Sequence, residues 1–66
     1  MGTHNKSKSY VLKMSPEAFS ETDGIMHYIK AILSDKEYLL GSGYSVEEAW
    51  EDASNNFRTY FASLKK

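Results

Sequence analysis

Glu47, Glu48, Glu51 and Asp52 place four carboxylates within six consecutive positions, and clustered acids are a common means of general acid–base catalysis. Their setting argues for another role. Ser45 precedes Glu48 by three residues, the Ser-x-x-Glu box that starts helices by satisfying their first backbone donors. Carboxylates in the opening turns of a helix are stabilised as anions, the opposite of the raised pKa that a general acid needs. The four acids are therefore read as a solvated, dipole-matched face and as candidate contacts for a protein partner. His27 stands among Met26, Tyr28 and Ile29 and is read as a packed or half-exposed side chain. His4 is the other histidine and the chain has no cysteine, so a structural zinc site lacks a ligand set. No histidine is placed to activate a serine. Gly41-Ser42-Gly43 lacks the length and the Lys-Ser/Thr ending of a phosphate loop. The expectation is a non-catalytic protein without metal or other cofactor.

The elements that must carry these residues are clearest at the C-terminal end. Val46, Ala49, Trp50, Ala53, Phe57, Tyr60, Phe61 and Leu64 recur every three or four residues, one apolar helical stripe. Lys65 and Lys66 follow it, matching the dipole at that end. Trp50 is expected to be buried between helix and sheet. Residues 25–33 (IMHYIKAIL) predict a strand with two mostly apolar faces, hence a central one. Ser34-Asp35-Lys36 makes a tight turn, and residues 37–44 return as a further strand, in which Gly41 and Gly43 mark a bulge or a close approach of the helix. Residues 9–14 (SYVLKM) are short, aromatic and β-branched, which predicts the first strand. Ser15-Pro16-Glu17 stops it, with room for one helical turn through Phe19, and Glu21 to Gly24 reads as a connection. Residues 1–8 are polar and read as a disordered tail. The expected architecture is α+β, a three-stranded antiparallel sheet with one C-terminal helix on a face, in the order β-β-β-α, as a single domain over residues 9–66.

Sixty-six residues at 7.5 kDa, with 41% apolar and 26% charged residues, bury only about 60% of the unfolded surface. A formal charge of −1 disfavours a general polyanion binder. Apolar runs are too short for a membrane span and no signal peptide is evident. A stand-alone, cytoplasmic chain is the expectation. Nine aromatic residues supply large contact areas at low entropic cost. One helix covers one side of such a sheet, so the other side meets solvent, a loop or a partner. Tyr28, Lys30 and Tyr38 join the four acids as candidate partner-binding residues, and a homodimer is one way to bury the open face.

The stretch from Met26 to Leu64 resembles the C-terminal two-thirds of a double-stranded-RNA-binding domain. There a hairpin ends in Gly-x-Gly-x-Ser and runs into a helix with paired small residues, here Gly41, Gly43, Ser45, Ala49 and Ala53. That family's opening helix has no counterpart in the reading above. Its three basic helix positions fall on Val46, Glu47 and Trp50, so the resemblance implies the fold without the phosphate contacts that supply most RNA affinity. The segment Ser45-Val46-Glu47-Glu48-Ala49, with Ala53 and Tyr60, is also similar to the HicB-type antitoxins, which have a partial version of the fold and block a small ribonuclease toxin. Both resemblances imply a protein partner rather than nucleic acid. The leading expectation is a small inhibitor or adaptor, antitoxin-like or phage anti-defence-like. The alternative is an RNA-binding domain acting through Lys6, Lys8, Lys13 and Lys30.

Overall fold

The computed structural model describes residues 6–64. They form helix α1 (Lys6–Met14), strands β1 (Phe19–Thr22), β2 (His27–Leu33) and β3 (Lys36–Gly43), and helix α2 (Val46–Leu64). The strands make one antiparallel sheet in the order β1-β2-β3, with β2 central as expected. The α+β class, a three-stranded antiparallel sheet followed by a C-terminal helix, is the one read from the sequence.

Three assignments within that class are corrected. Residues 9–14 are helical, because the helix places Val11, wholly buried, against Ile29, Ala49, Trp50 and Ala53. Arg58 of α2 lies 4.9 Å from the centre of the Tyr10 ring, and Lys8 lies 5.7 Å from that of Trp50. A nine-residue helix is marginal alone, so these contacts with α2 select the conformation. Lys6 to Lys8 consequently belong to α1 and not to a tail, while residues 1–5 lie outside the described residues. The first strand is instead Phe19–Thr22, where the sequence reading had one helical turn and a connection. Its four residues are all exposed, and pairing with β2 (Phe19 to Lys30 through Thr22 to His27) holds it. The expected turn after Pro16 is shorter, closed by the Ala18 N–H donating to the Ser15 carbonyl at 3.0 Å.

Short-range chemistry explains the hairpins. Asp23 Oδ1 accepts from the backbone N–H groups of Ile25 and Met26, each at 2.9 Å, an Asx turn between β1 and β2. Ser34 and Asp35 both have positive φ, 54° and 66°, as the two-residue turn matched to strand twist requires. A register shift falls opposite Ile29 and Lys30: Lys30 faces Leu39, Ile29 faces Gly41, and Leu40 is the extra residue of a bulge.

Helix α2 starts as its sequence dictates, with Ser45 Oγ accepting from the Glu48 N–H at 3.1 Å. The reciprocal arm reaches one residue further back, where Glu48 accepts from the Tyr44 N–H at 3.0 Å. The helix then lies directly on β3, and Gly41 and Gly43 make this possible. A Cβ on Gly41 would sit 2.7 Å from Ala53 Cα and 2.8 Å from the Ala49 carbonyl oxygen; one on Gly43 would sit 2.6 Å from Glu48 Cβ. Trp50 is buried at 3% exposure, packed between the sheet and α1. No helix among the described residues is long and apolar enough to cross a membrane.

Candidate functional site

Directly paired residues of an antiparallel sheet share a face, which sorts the candidate side chains. Ile29 and Ala31 are fully buried on the side of the helices. Tyr28, Lys30 and Ile32 alternate with them and project from the opposite side. Across the strands, Phe19 and Glu21 join them from β1 and Glu37 from β3. Neither helix covers this face: Ile32 is 52% exposed and Phe19 36%.

Lys30 sits at its centre. Its ammonium donates to Glu21 Oε1 at 2.7 Å and to Glu37 Oε2 at 2.9 Å, and lies 5.7 Å from the centre of the Tyr28 ring. Glu21 first, then Glu37, push the Lys30 pKa well above its ordinary value. The Tyr28 hydroxyl donates to Asp23 Oδ2 at 3.1 Å, raising the tyrosine pKa. Hydrogen bonds from Met26, Ile25 and Tyr28, in that order, lower that of Asp23. The result is a preorganised, charge-paired centre with an apolar surround.

Tyr38, grouped with Tyr28 and Lys30 in the sequence reading, lies on the other side. It pairs with Ala31, on the face of the helices, because the bulge at Leu40 shifts the alternation along β3. There it lines an open trough of about 970 Å³ together with Met14, Leu33, Phe57 and Tyr60.

The four acids at the start of α2 divide by task. Asp52 Oδ2 accepts from the Ser42 N–H of β3 at 3.0 Å and Glu48 closes the helix start, so both have structural work. Glu47 and Glu51 are exposed. One turn beyond Asp52, Asn56 Nδ2 donates to the Leu40 carbonyl at 2.8 Å, and this pair occupies part of the outer edge of β3. His27 is half-buried between Thr22 and Gly43 on the neighbouring strands. Among the described residues, no group of three or more His, Asp or Glu could hold a metal ion.

The chain matches no family model, curated protein or solved structure. Glu21 and Glu37 were not among the sequence candidates, since only strand register brings positions 21, 30 and 37 together.

Proposed function

We propose that this chain is a small non-catalytic protein-binding module, an inhibitor or adaptor that meets its partner through the uncovered face of the sheet. The ion pairs of Lys30 carry this reading. A cation held between Glu21 and Glu37 offers no free positive charge to phosphate, and the two carboxylates repel a polyanion. Phe19, Tyr28 and Ile32 around it supply the apolar and aromatic contact typical of interface centres. Exposed Glu47 and Glu51 tune the association rate with a basic partner more than the affinity.

The test is affinity capture with the wild-type chain and with Ile32→Glu, which changes an exposed side chain. The reading requires a partner that the wild type retains and that folded Ile32→Glu releases. Equal retention by both proteins refutes it.

A second reading, an RNA-binding domain of the double-stranded type, draws support from α1. This helix supplies the opening element that the sequence reading lacked, carries Lys6, Lys8 and Lys13, and weakens the case for the partial fold of the HicB-type antitoxins. Glu47 and buried Trp50 still occupy basic positions of the family's second helix. Titration of a duplex of about 16 base pairs at low salt separates the readings: binding that falls steeply with salt favours RNA, and absence of binding eliminates it.

A further inference from the structure

The apolar stripe of α2 runs on past its buried half. Ala49, Trp50 and Ala53 are buried, whereas Tyr60 and Leu64 are 58% and 61% exposed and Phe61 is 37% exposed. These rings are ordered against each other: Phe61 stacks on Phe57 with centroids 6.2 Å apart and meets Tyr60 edge-on at 5.5 Å. Beside them lies the open trough lined by Met14, Ala31, Tyr38, Leu40, Phe57 and Tyr60. We infer that trough and stripe form a two-fold interface between two copies of this chain, the end of α2 in each copy seated in the trough of the other. This surface lies across the sheet from the centre of the face proposed above and meets it only at the rim, where Leu39, paired with Lys30, also lines the trough.

The arrangement is self-complementary. A two-fold interface uses the same patch on both subunits, and here the projecting stripe and the receiving trough adjoin, with Tyr60 belonging to both. The area is of the right order. A specific interface buries about 800 Å² per partner, and large aromatics contribute about 150–250 Å² each when fully buried. At their observed exposures Tyr38, Tyr60 and Phe61, with Met14, Leu33 and Leu64, offer roughly 500–600 Å² per copy, just above the total of about 1,000 Å² that a specific interface must clear. The polar groups nearby are already engaged within the chain. Asn56 is bonded to Leu40 and Arg58 lies over Tyr10, and among the described residues Glu17 is the one charged residue lining the trough. Packing two copies therefore buries little unpaired charge. It also adds apolar burial to a core of six buried apolar residues among those described, and ties fold stability to concentration by mass action.

Light scattering on the full chain tests this. The expected mass is twice 7.5 kDa at high concentration, falling to that of the monomer on dilution. Leu64→Glu, far from the buried cluster, is expected to weaken the dimer at least about a hundredfold, since the interface would then bury an unpaired carboxylate. Ile32→Glu, on the opposite face, should leave the dimer intact, and circular dichroism should report native helix content in both variants. As a second readout, Tyr60→Cys introduces the sole thiol and should give a disulfide-linked dimer under mild oxidation, whereas Ile32→Cys should not. A monomer at every concentration overturns the inference, as does a dimer that survives Leu64→Glu or is broken by Ile32→Glu. A monomer whose trough instead binds a foreign amphipathic peptide overturns it too.

Discussion

Replacing Gly41 with Ala probes the contact that seats α2 on β3. The new Cβ would press on the backbone nitrogen and Cα of Ala53 and lie 2.8 Å from the Ala49 carbonyl oxygen, where apolar contacts settle at about 3.5–4.0 Å. All three atoms are backbone, so no side chain can swing aside, and the helix must retreat by roughly 1 Å at two successive turns. That retreat loosens Ala49, Trp50 and Ala53 together, the α2 share of the core. Overpacking of this kind costs about 1–3 kcal/mol, and the upper end applies where the neighbour is backbone. A chain of this length has a total stability of about 3–10 kcal/mol, so the loss is a large fraction of it. Urea unfolding followed by Trp50 fluorescence should show a midpoint lower by about 2–3 M at unchanged slope, taking a slope of about 1 kcal/mol/M. Gly24→Ala is the control. Nothing lies within 4 Å of its would-be Cβ, but its φ is +99°, so only backbone strain of about 1–2 kcal/mol applies. Gly41→Ala unfolding at the wild-type midpoint, or above that of Gly24→Ala, would refute the close-approach argument.

Other expectations concern single groups. Asp35→Gly relieves a positive φ of 66° and should raise the melting temperature by about 4–8 °C, the equivalent of roughly 1 kcal/mol in a small domain. Ser54 Oγ is buried without a hydrogen-bond partner among the described residues, so Ser54→Ala should be neutral or stabilising by about 1 kcal/mol in the same urea assay. Asp52→Ala removes the acceptor of the Ser42 N–H and should cost about 1 kcal/mol or somewhat more, with faster amide exchange at Ser42 in NMR. Backbone hydrogen bonds from Met26 and Ile25 hold the Asp23 carboxyl below its ordinary, unfolded-chain value. Its contribution to stability is thus present above that value and is lost as pH falls through the lower folded pKa. Carbon-detected NMR titration should place its midpoint below the ordinary aspartate range, and Asp23→Asn should flatten the acid limb of the stability curve.

Much of the fold is decided by local chemistry that the chain itself spells out. The start of α2 follows from Ser45 and Glu48, and the packing of its first half from the spacing of Ala49, Trp50 and Ala53. The β2 strand follows from its apolar run, although only its Ile29 and Ala31 face is covered, the second hairpin from Ser34-Asp35, and the close approach of helix to sheet from two glycines. Each signal lies within a few residues of the structure it determines. Residues 9–14 show the opposite case. Tyr10, Leu12 and Met14 alternate as in a strand, yet the segment is helical because α2, some forty residues later, offers Val11 a buried seat and Tyr10 a guanidinium. Strand β1 has no apolar pattern at all and exists through its pairing with β2. The candidate site divides in the same way. Tyr28 and Lys30 share a face by simple alternation, but the carboxylates that neutralise Lys30 arrive from both neighbouring strands, and the bulge at Leu40 sends Tyr38 to the other side of the sheet. Periodicity encodes what one element wants to bury; which partner it meets, and at what register, is settled only when the elements pack.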